Sequence, residues 1–129
     1  MATVAALLKQ CGHDVRGSDQ NVYPPMSDFL VAEDIRVMTG FSADHITSDV
    51  DFVVVGNTIS RGNPELEAVL ERKIRHCSLP EVIRDHFLWG ARSIVLAGTH
   101  GKTTTTSLTG WLLAHGQLDP TVLVGGIAL

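Results

Sequence analysis

A glycine-rich turn between an apolar segment and an amphipathic helix is the feature that most restricts the fold of this chain. Residues 94–97 are apolar and, with Ser93, predict a strand over 93–97, and the spacing of apolar residues over 102–115 predicts a helix. Only the four residues 98–101 separate the two, and two of these four are glycines. A strand that enters a helix through so short a turn is typical of an α/β unit with parallel strands.

The same turn has the chemistry of a phosphate-binding loop. Its glycines let backbone N–H groups converge on one point, where the helix amino terminus adds positive potential. Lys102 opposes the helix dipole unless an anion is bound there, so we expect it to meet the β- and γ-phosphates of a nucleotide, and Thr103 to coordinate Mg²⁺. The widest form of this motif has a glycine where this chain has Leu96. The alternative is a glycine-rich turn with an exposed lysine.

The predicted nucleotide site is one continuous segment, and Lys102 is also the predicted catalytic residue because it would neutralise charge on a transferred phosphoryl group. For His100 both a packing role within the loop and a direct catalytic role remain open. The predicted nucleotide-binding residues are Gly98, Thr99, His100, Gly101, Lys102, Thr103 and Thr104.

The rest of the chain alternates helices and strands, which favours an α/β class with parallel sheets. The first helix has apolar residues at Val4, Leu7, Leu8 and Cys11, a spacing that places Cys11 on the buried face. Asn63 has the position of a helix N-cap, and Ser78 and Glu81 have the spacing of a capping box. The remaining predicted elements are helices at 27–33, 64–73 and 78–88 and strands at 13–16, 36–39, 52–55, 74–77 and 121–124.

Composition excludes several classes of protein. The net charge is -4 and the basic residues are scattered, so no nucleic-acid partner is expected. No apolar run reaches the length of a membrane span, which predicts a cytoplasmic protein without a membrane partner. Cys11 and Cys77 lie in no metal-ligand spacing, and no pattern indicates an oligomeric state.

Polar turns follow two predicted strands in the first part of the chain. Asp19, next to Ser18, is placed to bind a ribose hydroxyl as in dinucleotide-binding folds, although a Ser-Asp turn also caps its own segment without a ligand. Asn57, Thr58 and Ile59 follow the apolar strand 52–55 at its carboxyl end, where open α/β sheets bind ligands. An ordinary polar loop is the alternative for these three residues.

The segment 97–106 resembles the ATP loop of Mur ligases, which use the short form Gly-Thr-x-Gly-Lys-Thr. Residues 17–19 and 56–60 occupy the places where the first domain of that family holds the UDP part of its substrate. Residues 21–27 and 60–64 are more similar to members that act on a tripeptide than to members that add L-alanine. The resemblance covers essentially the whole chain.

This resemblance implies the fold and the reaction. Residues 1–88 would form an incomplete Rossmann-like parallel-sheet domain that binds the UDP-sugar, and residues 89–129 the start of a P-loop ATPase domain. The family uses ATP and Mg²⁺ to convert the carboxylate of UDP-N-acetylmuramate to an acyl phosphate. The amine of L-alanyl-γ-D-glutamyl-meso-diaminopimelate then attacks it to form an amide. The implied UDP-sugar residues are Ser18, Asp19, Asn57, Thr58 and Ile59.

Mur ligases are three-domain proteins several times longer than this chain. We therefore expect an amino-terminal fragment that lacks the first strand and glycine loop, ends within the second domain and is inactive alone. Two alternatives remain open, namely a fragment of the ligase that adds L-alanine to UDP-N-acetylmuramate and a noncatalytic nucleotide-binding module.

Overall fold

A computed structural model describes residues 1–125 of the chain. The chain divides into two compact units, Met1–Ala91 and Arg92–Leu129. Each unit has its own secondary structure.

The first unit alternates helices and strands along its whole length. A 3-10 turn, Ala43–His45, precedes the third strand, and a π-helical turn, Arg84–Leu88, follows the last helix. The regular elements are α1 Ala2–Gln10, β1 Arg16–Asp19, α2 Met26–Ala32, β2 Arg36–Thr39, β3 Phe52–Val55, α3 Pro64–Glu71, β4 Arg75–Ser78 and α4 Leu79–Ile83.

The strands of the first unit form two parallel pairs. β1 pairs with β2, with Asp19 opposite Thr39, and β3 pairs with β4, with Val55 opposite Ser78. The connections run through α2 and α3, as parallel strands require a crossover. This arrangement confirms the predicted α/β class with parallel strands.

The side chains of β3 alternate between two apolar clusters. Phe52 and Val54 pack against a cluster built from α1 and α4, whereas Val53 packs against a cluster built from α3 and the turn before β3. A parallel strand covered on both faces requires apolar residues at every position, which explains the sequence of β3. The buried members of the two clusters are Val4, Leu8 and Val82 on one side and Ile46, Ala68 and Val69 on the other.

Two predicted helix starts are confirmed. The Asn63 side-chain oxygen accepts hydrogen bonds from the backbone N–H groups of Glu65, at 3.0 Å, and Leu66, at 3.1 Å. At the start of α4 the Glu81 carboxylate accepts hydrogen bonds from the Ser78 N–H and hydroxyl, both at 2.7 Å. These acceptors satisfy donors that have no partner inside the first helical turn.

The expected burial of Cys11 is wrong, because this residue is exposed. Helix α1 ends at Gln10, and Cys11 has the non-helical backbone angles of a C-cap, with φ -76° and ψ 1°. Val4 and Leu8 lie on the buried face as expected. The helical spacing that puts apolar residues on one face does not apply beyond the last helical residue.

Two predicted boundaries in the first unit are also corrected. The first strand begins at Arg16, where the prediction ended it, so Gly17 and Asp19 belong to β1 rather than to a turn. Pairing with β2 supplies backbone hydrogen bonds that outweigh the low strand propensity of these residues. The helix predicted over 78–88 is regular only to Ile83 and continues as the π-helical turn.

The second unit contains the helix α5, Lys102–His115, with the predicted bounds. The strands predicted at 93–97 and 121–124 are wrong, since the described part of this unit, residues 92–125, contains no strand. A strand requires a hydrogen-bonded neighbour, and these residues have none there. Leu108, Trp111 and Leu112 share a face of α5 as predicted, but all three are more than half exposed. Among residues 1–125, no helix is long and apolar enough to cross a membrane.

Candidate functional site

A cleft of about 530 Å³ lies at the carboxyl ends of β1, β2 and β3 in the first unit. It brings together three of the five predicted UDP-sugar residues, Asp19, Thr58 and Ile59. The carboxyl ends of parallel strands are where α/β folds bind ligands. The lining residues are Asp19, Gln20, Phe41, Thr58, Ile59, Ser60, Arg61, Gly62, Asn63 and Pro64.

Asn57 lines a neighbouring cleft rather than this one. That second cleft, of about 400 Å³, lies between the carboxyl ends of β3 and β4 and also includes Cys77 and Glu81. Ile59 borders both clefts. Burial, with the Glu81 carboxylate as a smaller cause, raises the pKa of the Cys77 thiol, so this thiol stays protonated at neutral pH.

The Asp19 carboxylate stabilises the turn that follows β1. Its Oδ1 accepts a hydrogen bond from the Asn21 N–H at 3.2 Å, and the Asp19 carbonyl accepts one from the Gly40 N–H at 2.9 Å. The side chain is exposed. The capping role is therefore present without a ligand, and the second carboxylate oxygen makes no hydrogen bond within residues 1–125.

Ser18 does not line the cleft, because its hydroxyl points to a carboxylate behind it. Ser18 Oγ donates to Glu65 Oε2 at 2.5 Å, and Glu65 Oε1 lies 2.6 Å from His45 Nδ1. The Glu65 side chain is only 13% exposed. Sequence reasoning missed this contact, since an acidic residue in the first turn of α3 is explained equally well by the helix dipole.

Arg61 supplies positive charge at the cleft. Its side chain is 80% exposed, and its Nε lies 3.2 Å from Glu67 Oε1. The same Glu67 oxygen accepts a hydrogen bond from the Gly62 N–H at 2.8 Å. This pairing holds the arginine at the rim of the cleft while most of its side chain stays open to solvent.

The predicted phosphate loop of the second unit leads into the helix α5 through a left-handed glycine. Gly101 is the N-cap of α5 with φ +76°, a left-handed conformation that strains other residues. It has no side chain to cap the helix, and the first helical hydrogen bond joins the Thr105 N–H to the Gly101 carbonyl at 2.9 Å. Within residues 1–125 no side chain caps this helix start, which leaves the N–H groups of the first turn available to an anion.

Lys102 folds back over this loop. Its Nζ donates to the Gly98 carbonyl at 2.7 Å and to the Thr99 carbonyl at 3.1 Å. The ammonium group is thus held against the backbone of the glycine turn by two carbonyl acceptors. His100 is exposed, and its Nδ1 lies 3.3 Å from Oγ1 of the adjacent Thr99, so both the packing role and the catalytic role of this histidine stay predictions.

The threonines in the first two turns of α5 differ in their hydrogen bonds. The Thr106 hydroxyl donates to the Lys102 carbonyl at 2.8 Å, which ties it to the helix backbone. Thr103 and Thr104 are exposed, and their hydroxyls make no hydrogen bond within residues 1–125. Among those residues no group of three or more His, Cys, Asp or Glu side chains is placed to hold a metal ion. Mg²⁺ at this loop would therefore depend on Thr103 and on nucleotide phosphates, a donor set that suits this ion.

A family model described as "Mur ligase family, catalytic domain" matches residues 1–88 of this chain. The chain belongs to the Mur ligase family. As a Mur ligase chain, it is 43% identical over 128 residues to the UDP-N-acetylmuramate–L-alanyl-γ-D-glutamyl-meso-2,6-diaminoheptandioate ligase of Haemophilus influenzae. It is 39% identical over 127 residues to the UDP-N-acetylmuramate–L-alanine ligase of Allorhizobium ampelinum.

The fold of this Mur ligase chain is similar to a solved structure. That structure is the UDP-N-acetylmuramate:L-alanyl-γ-D-glutamyl-meso-diaminopimelate ligase from Neisseria meningitides, with a TM-score of 0.90 and 38% identity. The match covers 98% of this chain and 40% of that one. The chain spans 28% of the Haemophilus relative and 26% of the Allorhizobium relative, which are therefore several times longer.

Proposed function

We propose that this chain belongs to an ATP-dependent ligase that joins UDP-N-acetylmuramate to the tripeptide L-alanyl-γ-D-glutamyl-meso-diaminopimelate. The observation that carries the proposal is the 43% identity, over 99% of this chain, to a relative named for that reaction. A TM-score of 0.90 to a solved ligase of the same name supports it. A cytoplasmic location is part of the proposal, because ATP and UDP-sugars are cytoplasmic metabolites.

The cleft at the carboxyl ends of β1, β2 and β3 is proposed to hold the UDP part of the sugar nucleotide. Asp19 presents a carboxylate to a ribose hydroxyl, and Arg61, whose side chain is mostly exposed, presents a guanidinium to the diphosphate. Thr58 and Ile59 line the same cleft. Asn57 borders the neighbouring cleft and would act only on a ligand that reaches past Ile59.

The loop of residues 98–104 is proposed to bind the triphosphate of ATP. Its helix N–H groups and the Lys102 ammonium offer positive charge at one place, and the exposed Thr103 hydroxyl is suited to Mg²⁺. Mg²⁺ would neutralise charge on the phosphates. Lys102 would stabilise the phosphoryl group as it moves to the muramyl carboxylate, and the acyl phosphate so formed would lose phosphate when the tripeptide amine attacks.

We retain the proposed division of the chain into a UDP-binding domain, residues 1–88, and the start of an ATP-binding domain, residues 89–129. The first compact unit ends at Ala91, close to that boundary. The proposed phosphate loop lies in the second unit and the proposed UDP cleft in the first. A chain of this length would supply the two nucleotide sites, and the rest of the catalytic apparatus would come from further sequence.

Addition of L-alanine instead of the tripeptide is the second candidate. It is favoured by the 39% identity to a relative named UDP-N-acetylmuramate–L-alanine ligase. Both reactions use the same nucleotides, so the two candidates differ only in the incoming amine. Ligation assays with the tripeptide and with L-alanine as sole acceptor distinguish them.

The test is ATP-dependent ligation by the complete polypeptide that contains these residues. We expect phosphate release that requires both UDP-N-acetylmuramate and the tripeptide. Lys102→Ala should abolish ligation while binding of UDP-N-acetylmuramate is retained. Arg92→Ala is the matched control, because it removes one exposed positive charge from the same unit outside the loop.

Unchanged ligation by Lys102→Ala would contradict the assignment of the phosphate loop. If ATP binds but is not turned over with either the tripeptide or L-alanine as acceptor, the result would instead indicate a noncatalytic nucleotide-binding module. Isothermal titration calorimetry of both nucleotides, run beside the ligation assay, separates these outcomes.

A further inference from the structure

Glu65 occupies an unusual position behind the proposed UDP cleft. It is the second residue of α3, and its carboxylate is directed away from solvent, with 13% of the side chain exposed. Its two oxygens contact two separate segments of the first unit. Oε2 accepts from the Ser18 hydroxyl at 2.5 Å, and Oε1 lies 2.6 Å from His45 Nδ1 and accepts from the Ser42 N–H at 3.4 Å.

These contacts connect three edges of the cleft. Ser18 precedes Asp19, Ser42 follows Phe41, and Glu65 itself follows Pro64, and each of those three neighbours lines the cleft. One carboxylate therefore joins the end of β1, the segment after β2 and the start of α3. The β1–β2 ladder and the hydrogen bond from the Gly40 N–H to the Asp19 carbonyl already join the first two of these segments. Within residues 1–125, no strand ladder joins either of them to α3, so the Glu65 carboxylate supplies that link.

We propose that Glu65 is a positioning residue for the sugar-nucleotide site. It fixes the start of α3 against the Asp19 turn and the Phe41 segment, which the β1–β2 ladder already joins, and it acts through Ser18 and Ser42 without contacting the ligand. The inference rests on the proposed function of the cleft as a UDP-sugar site. It also assigns a role to Ser18 that differs from direct substrate contact, because the Ser18 hydroxyl already donates to Glu65.

A carboxylate suits this task better than a neutral side chain of another shape. Its two oxygens accept from donors in different directions, and burial fixes its rotamer. Glutamine has the same shape and keeps an acceptor for the Ser42 N–H together with a donor that can meet Ser18 Oγ. Alanine removes every contact. Comparison of Glu65→Gln with Glu65→Ala therefore shows whether binding depends on the hydrogen bonds that this side chain makes to Ser18 and Ser42.

The experiment is calorimetric titration of the complete polypeptide that contains these residues with UDP-N-acetylmuramate, at a temperature where every variant is folded. We expect Glu65→Ala to weaken binding about tenfold and Glu65→Gln to bind like the unchanged chain, because only the first loses the framework of the cleft. Val82→Ala is the control for lost stability, since Val82 is a core residue of α4 that does not line the cleft. It should unfold at a lower temperature and bind normally.

Three results would overturn the inference in distinguishable ways. Normal binding by folded Glu65→Ala would remove the positioning role and leave the UDP site intact. Equal weakening by Val82→Ala would show that Glu65 acts through stability alone. If the complete polypeptide without substitutions does not bind UDP-N-acetylmuramate, the proposed function of the cleft itself fails. Should Glu65→Ala not fold, Ser18→Ala tests the same link, and normal binding by that variant would likewise contradict it.

Discussion

Gly110 and Val122 approach each other so closely that no side chain fits between them. A Cβ atom added at Gly110 would lie 2.5 Å from Val122 Cγ2 and 3.3 Å from Cγ1. Gly110 is the buried residue of α5, and this contact is what places the segment 121–124 against the helix. A glycine in the middle of a helix is therefore explained by packing.

Gly110→Ala should destabilise the second unit despite the higher helix propensity of alanine. The propensity gain is about 1 kcal/mol, whereas overpacking against a β-branched side chain costs about 1–3 kcal/mol. We expect a net loss of about 1 kcal/mol in the free energy of α5 opening, measured by amide hydrogen exchange. In a Val122→Ala background the sign should reverse, and a stabilising effect in the unchanged background would contradict this contact.

Asn63→Ala should lower the free energy of unfolding of the first unit by about 1 kcal/mol, because the helix start loses its acceptor. The Asn63 oxygen accepts from two N–H groups, those of Glu65 and Leu66. Asn63→Asp keeps an acceptor at the same place and is the matched control. Urea denaturation measures both variants, and equal midpoints for alanine and aspartate would show that the cap contributes nothing.

The ion pair between Arg16 and Asp49 makes the free energy of unfolding depend on pH in the acidic range. The hydrogen bonds from the Arg16 guanidinium, and then from the Thr47 hydroxyl, lower the pKa of Asp49 from 3.8 to about 2. Since the folded-state pKa is the lower one, the contribution is complete above pH 3.8 and is lost as the pH falls through about 2. The exposed position of Asp49 keeps this contribution small.

We therefore expect Asp49→Asn to flatten the pH dependence of unfolding between pH 3.8 and pH 2. Thermal unfolding followed by circular dichroism across that interval is the measurement. Asp51→Asn, which removes an exposed carboxylate two positions along the chain, should leave the slope unchanged. An identical slope for Asp49→Asn and the unchanged chain would mean that the ion pair does not form in solution.

Thr103→Val should weaken the Mg²⁺ dependence of ATP binding, because valine keeps the shape of the side chain and removes the hydroxyl proposed as a metal ligand. Thr103→Ser retains the hydroxyl and should behave normally. Titration of the whole chain with ATP, with and without Mg²⁺, gives the comparison. If valine and serine respond alike to Mg²⁺, the hydroxyl is not a ligand.

Local patterns predicted local structure well. The bounds of β2, β3 and α5 agree with the structure, and so does the cap at Asn63. These features depend on contacts within a few residues, on side-chain period or on the chemistry of one helix end. Cys11 shows the limit of periodicity. The apolar spacing in the sequence continues to Cys11, although the helix has already ended at Gln10.

Contacts between distant segments could not be predicted from the sequence. The link from Glu65 to Ser18 spans 47 positions, and nothing in the local pattern distinguishes it from an acid that only complements the helix dipole. The strands predicted at 93–97 and 121–124 fail for a related reason, since β structure needs a partner strand that no local pattern supplies.

The sequence by itself determined that this chain alternates helices and strands, carries a glycine-rich loop with a lysine at a helix start, and resembles Mur ligases. Propensity, period and residue chemistry are encoded locally and can be read without a fold. Only the tertiary structure decided that Asp19, Thr58 and Ile59 share one cleft, that Asn57 lines another, and that Ser18 is held by Glu65. Those relationships arise when strand ends converge at a sheet edge, and that convergence depends on packing across the whole unit.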